Sequence, residues 1–373
     1  MLCHSFTDMF VNHKYKFLNL IMGVFIALIT IWAIGIFFCR NYVPIEYCNE
    51  LSRNVYRPGI TILSSREGFA FTKCGKAGLI APGNSSDIDK NAVLLFGNSF
   101  AEGLHVPDQS KMHRVANKLL APDGKDAPTV YNVAMSSQLF SDTLWQLPKY
   151  LEQYGNNLKG IIVIVMSHDL LPSSVCSQYG SSLQNNAGQL IVVSPTPASM
   201  TNWGMIKYRF CLNAFLALGK SVKDSISDWY SRTWHRIPYT QAKSNVEAAM
   251  EKSVDANLDN YLEWQLAKLR EITDLPILIL CCIDKPIRTV NGIEAPQAES
   301  ELAQKIKLYS EKNHLDFYSM REDFRRLYDQ NLIVCGFPNT LPGAGHFSIY
   351  AHQALGEIMA DWCRHTFMVE AKQ

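Results

Sequence analysis

The chain has 373 residues, of which 18% are charged, and a formal net charge of +1. That length suits one large domain or two ordinary ones, and the near-neutral balance offers no basic surface of the kind that binds nucleic acid. The ten cysteines are scattered, with no CxxC or Cys/His spacing, so neither a structural metal nor a cofactor is expected.

The first feature along the chain is a charge-free run, FLNLIMGVFIALITIWAIGIFFC, at residues 17–39. About 20 apolar residues in a helix cross a bilayer core, so the run predicts one transmembrane helix. It is too long for a signal peptide, and Phe37, Phe38, Cys39 and Arg40 make a poor cleavage site, so it reads as a retained anchor. Lys14 and Lys16 precede it, which puts residues 1–16 in the cytoplasm and the rest beyond the cytoplasmic (inner) membrane, in a periplasmic or similar compartment. In such a compartment cysteines can pair, Cys48 with Cys74 for example; otherwise they are small buried apolar residues.

Residues 40–90, broken by Pro44, Pro58, Pro82 and several glycines, read as a loop-rich connecting segment. The remainder, 91–367, alternates strand and helix patterns. Short apolar runs at 91–96 (NAVLLF), 130–134, 160–166 (GIIVIVM), 276–283 and 315–320 predict buried parallel strands. Helical spacing is present around 111–120, 141–154, 298–313 and 350–365. A mostly helical insertion is expected at about 194–274. Together these predict an α/β domain, three layers with helices on both faces of a parallel sheet. Ligands of such sheets bind at the carboxyl ends of the strands.

Polar residues gather at those ends. The first strand runs into Gly97-Asn98-Ser99, the second into NVAMSS, with Ser137 last, and the third into Ser167-His168-Asp169. A Gly-rich loop, LPGAGHF, presents His346 just before the last helix. A serine hydroxyl needs a base within hydrogen-bond reach, and histidine has the right basicity. The pairs Glu102/His105 and His352/Glu357 miss the spacings of helical metal sites. Asp169 reads as the cap of a following turn.

The order of these blocks resembles the SGNH (GDSL-like) hydrolase superfamily, and within it the membrane-anchored extracytoplasmic members linked to O-acylation of surface polysaccharides. VLLFGNSFAEG is similar to the first block, YNVAMSSQ to the second, VIVMSHDL to the third and LPGAGHFSIYAHQ to the last. The resemblance implies a flavodoxin-like three-layer fold, with Ser99 as nucleophile and His346 as general base. It implies an oxyanion hole from the N–H groups of Ser99 and Ser137 and from His168. It also implies a glycan or acylated-sugar substrate and a multi-pass membrane partner that delivers acyl groups. Five positions depart from the family pattern. Asn98 stands for Asp, Ser137 for Gly and His168 for Asn, and Gly343 and Ala344 occupy the places where the acid that supports the histidine belongs. Two readings follow: an O-acyltransferase or acyl esterase, or a degraded member serving in glycan binding or complex assembly.

Overall fold

A computed structural model describes residues 18–30, 45–64, 67–83, 85, 87–124, 126–170, 182–186, 189–194, 259–289, 292–337, 340 and 343–368. The chain divides into two compact units, Met1–Tyr42 with Asn202–His235, and Val43–Thr201 with Arg236–Gln373. In the first unit the described residues are 18–30, a helix (α1). Its large apolar side chains are exposed, Leu20 and Phe25 at 64% and 59%. Among the described residues no helix is long and apolar enough to cross a membrane. The rest of the expected span 17–39 lies outside the described residues, as does most of the expected insertion at 194–274, of which 259–272 is helical (α5).

The second unit is built on a five-stranded, all-parallel sheet. Its strands are β5 (Ala92–Phe96), β6 (Thr129–Asn132), β7 (Leu158–Val165), β10 (Ile277–Cys281) and β13 (Asp316–Ser319). The spatial order is β13-β10-β7-β5-β6. All five residues of β5 and of β10 are buried, because each strand has helices on both faces. One apolar layer joins Leu94, Phe96, Ile161 and Ile279 to α4 (Phe140–Tyr154), α5 and α6 (Glu301–Lys312). The other joins Val93, Leu95, Ile162 and Leu280 to α3 (Met112–Leu120), α7 (Arg321–Asp329) and α8 (Ile349–Phe367). The expected three-layer α/β architecture is therefore present. The winding direction reverses between β5 and β7, the place where such sheets open a crevice.

The segment expected as a loop-rich connection is more structured than its sequence suggests. It holds two antiparallel hairpins, β1 (Ile45–Cys48) with β2 (Arg53–Tyr56), and β3 (Thr61–Ser64) with β4 (Ala70–Lys73). Tyr56, Ile62, Cys74 and Ile80 pack with Leu104 and Met135, residues of the loops after β5 and β6. Arg53 is buried and spans the gap to the sheet, donating to Val133 O at 3.0 Å and to Tyr150 Oη at 3.0 Å. Cys48 and Cys74 are free thiols, so the pairing considered for them is not made. Two further hairpins, β8 (Ser182–Asn186) with β9 (Gln189–Val193) and β11 (Ile287–Thr289) with β12 (Gly292–Glu294), leave the sheet after β7 and β10.

Candidate active site

β5 ends in Gly97 and passes directly into a single helical turn, α2 (Ser99–Glu102). Asn98 caps that turn, its Oδ1 accepting from Phe100 N at 2.8 Å while its Nδ2 donates to Asp169 Oδ1 at 2.6 Å. Asn98 thus fixes the turn that presents Ser99. Asp169 does more than cap a turn, since its other oxygen accepts from Met166 N at 2.8 Å. Burial pushes the Asp169 carboxyl up to about 7, partly offset by these two hydrogen bonds.

His346 reaches the same point from the loop before α8. Its Nε2 lies 2.9 Å from Ser99 Oγ. The ring sits between Phe100, 4.9 Å away centroid to centroid, and His105, 4.4 Å away. The two residues singled out from the sequence are therefore in hydrogen-bond contact.

The carboxylate absent from positions 343 and 344 is supplied by Glu67, in the turn of the β3–β4 hairpin. Glu67 Oε2 lies 2.6 Å from His346 Nδ1 and accepts from the His346 backbone N–H at 3.0 Å. Burial alone would raise the Glu67 carboxyl. The His346 hydrogen bond and charge, its N–H and the His105 charge outweigh that, and the pKa falls from 4.5 to about 2. An ionised carboxylate only accepts hydrogen bonds, so the Nδ1 proton points at Glu67 and the Nε2 lone pair faces the Ser99 hydroxyl. The loop is shaped for this approach. Gly345 has φ +86°, and a Cβ there would lie 2.7 Å from Glu67 Oε2. On the hairpin side, Gly68 has φ +78°, and a Cβ would meet the His105 carbonyl at 2.6 Å.

The loop after β6 lies against the nucleophile turn, with Met135 N donating to Gly97 O at 3.2 Å. Ser137, exposed at its end, has φ +65°. That left-handed conformation gives a physical reason for the glycine expected here, because a side chain at such a φ costs about 1–2 kcal/mol. The loop is tied down by Glu102, a fully buried residue of α2 whose carboxylate accepts from the hydroxyls of Ser136 and Tyr56. Lys111, also fully buried, donates to the carbonyls of Gly103 and Val106 and to Thr72 Oγ1. His168 belongs to the 3-10 turn Ser167–Leu170 at the end of β7, and its side chain lies outside the described residues.

The members of the metal pairs considered from sequence each have other partners. Glu102 is engaged with Ser136 and Tyr56, and buried His352 accepts from Met112 N at 3.2 Å. Glu357 accepts from Gln353. His105 instead stands beside Glu67 and His346. Sequence reasoning missed Glu67, and its one indirect trace was a Gly-rich histidine loop without an acid.

No protein-family model and no curated sequence matches the chain. Solved structures similar to it include TesA, at 13% identity and a TM-score of 0.37 over 73% of this chain and 97% of that one. Another is a catalytic mutant of Axe2, an acetylxylan esterase from Geobacillus stearothermophilus, at 9% identity and a TM-score of 0.39 over 75% and 96%. A third is the psychrotrophic esterase EstA from Pseudoalteromonas sp., at 9% identity and a TM-score of 0.35 over 76% and 100%. At such scores the likeness has no bearing on activity, which is drawn below from this chain's own geometry.

Proposed function

We propose that the protein is a serine-dependent acyl esterase or O-acyltransferase that carries an acyl group as an ester on Ser99. The supporting observation is the unbroken line from Ser99 Oγ through His346 to Glu67, with contacts of 2.9 and 2.6 Å. In this reading Ser99 Oγ attacks the ester carbonyl of the donor and its proton passes to His346 Nε2. Glu67 stabilises the imidazolium that forms. The proton then leaves on the donor's alkoxide as the first C–O bond breaks. The N–H groups of Ser99 and Ser137 would stabilise the charge on the carbonyl oxygen, a role the resemblance also gives to His168. In the second half, water or a sugar hydroxyl gives its proton to His346 and attacks the acyl-serine; the bond from the acyl carbon to Ser99 Oγ breaks, and His346 returns the proton to that oxygen. Hydrolase and transferase differ only in that second nucleophile.

The grounds for a degraded site were the missing acid and the replacement of the side-chain oxyanion donor by His168. Glu67 supplies a carboxylate at the required nitrogen, which favours an active enzyme. The proposal keeps the extracytoplasmic setting, a glycan as acyl donor or acceptor and a multi-pass partner that provides acyl groups. The apolar run at 17–39 and the exposed apolar side chains of α1 support a lipid-facing anchor. The test is release of p-nitrophenol from p-nitrophenyl acetate by the full chain in detergent, with and without oligosaccharide acceptors. Turnover should fall by about 10⁴-fold or more in Ser99→Ala, and acylated acceptor would assign the transferase. Wild-type turnover that Ser99→Ala leaves intact would refute the reading.

A further inference from the structure

We propose that Glu67, His105 and His346 form a binding site for a first-row transition-metal cation, zinc above all, whose occupancy switches the catalytic histidine off. Each of the three offers one ligand atom, and these atoms lie within 4.8 Å of one another. Two imidazoles and a carboxylate make one of the donor sets that zinc takes, with water as the fourth ligand. Zinc ligands at about 2.0–2.2 Å and tetrahedral angles lie about 3.3 Å apart. Glu67 Oε2 and His346 Nδ1 are 2.6 Å apart, so an ion would part them by well under an ångström.

The surroundings favour occupancy. His105 is 6% exposed, and its Nδ1 is held 2.8 Å from Ser64 Oγ. Such a contact to the second ring nitrogen orients an imidazole that ligates through the other. The side chains of Glu67 and His346 are 20% and 22% exposed, which leaves a route for the ion and a place for water.

The consequence follows from proton counting. A neutral imidazole has one ring proton. With a Glu67 carboxylate accepting from Nδ1, the one proton of a neutral His346 sits on Nδ1 and Nε2 is left to accept from Ser99. A zinc ion on Nδ1 takes that lone pair, so the single proton moves to Nε2. Nε2 then has nothing with which to accept the Ser99 proton, and Glu67 is withdrawn into the metal shell. The ion acts as a tautomer lock.

Only the activity readout depends on the proposed acyl chemistry; binding does not. Zinc affinity of the full chain is measured by competition with a chromogenic zinc chelator, alongside zinc inhibition of p-nitrophenyl acetate turnover and its reversal by EDTA. We expect one zinc per chain, inhibition at the same concentration as binding and no inhibition by magnesium. In His105→Phe, which keeps a flat ring beside His346, affinity should fall by at least about tenfold, and the inhibition midpoint should move with it. No binding at micromolar zinc, or equal binding by His105→Phe, overturns the site. Binding as expected in a chain without esterase activity keeps the site and removes the acyl reading.

Discussion

The five-stranded sheet and the pair of hairpins ahead of it meet at Ser99, His346 and Glu67, and they are held in place by different balances of forces. The sheet positions Ser99 through apolar packing, with β5, β7 and β10 buried almost throughout. Burial of that kind is worth about 25 cal/mol per Å² and has no direction of its own. The hairpins share only a small apolar cluster with the loops after β5 and β6, and add a few directed polar contacts: Arg53 to Val133, Tyr56 to Glu102, Lys111 to Thr72, and Glu67 to His346. A sheet edge can tolerate small shifts in packing, but a carboxylate must meet one particular nitrogen. Ser99 therefore depends chiefly on the core, and Glu67 on a few directed hydrogen bonds.

The largest effect that sharpens this contrast is expected from Glu67→Gln. The amide keeps the shape but can donate to Nδ1, which favours the wrong tautomer. Turnover should fall by about 10²- to 10⁴-fold with KM little changed. Unchanged kcat in steady-state assays would mean that the hairpin only covers the site.

A second expectation concerns acid stability. The Glu67 carboxyl has its pKa depressed to about 2 from 4.5, so the stabilisation it confers is complete above pH 4.5 and is lost as pH falls towards 2. The size is at most roughly 3 kcal/mol. Urea unfolding at several pH values should show Glu67→Gln with a flatter acid limb than the parent. Parallel limbs would break the link between the hairpin and the histidine.

The smallest expected effect lies on the oxyanion side. Glu102→Gln should lower kcat by about tenfold by loosening Ser136 and with it the strained Ser137. Ser137→Gly in that background should restore part of the loss, since glycine holds a positive φ without strain. A merely structural Glu102 would give lost stability with no rescue by the glycine.

The same contrast decides what could be read from the sequence. The runs at 91–96, 160–166 and 276–283 correspond to Ala92–Phe96, Leu158–Val165 and Ile277–Cys281, because a strand covered on both faces is a continuous apolar run. Ser99 and His346 were legible for a related reason: Ser99 directly follows a strand and His346 closely precedes a helix, each with a clear pattern. The hairpins were not. β2 reads RNVY with its arginine buried, and β1 reads IEYC, so neither shows alternation. Glu67 is one acid among 34 Asp and Glu residues, and its meeting with His346, 279 positions away, is made by tertiary packing alone.

The measurement that bears most directly on the Ser99–His346–Glu67 line is the second-order rate of labelling of Ser99 by a fluorophosphonate, compared between the parent chain and Glu67→Gln. The geometry predicts rapid labelling at Ser99 in the parent, none in Ser99→Ala, and a rate at least about 10²-fold lower in Glu67→Gln. Equal rates in the parent and Glu67→Gln, or a parent chain that takes no label at Ser99, would contradict it.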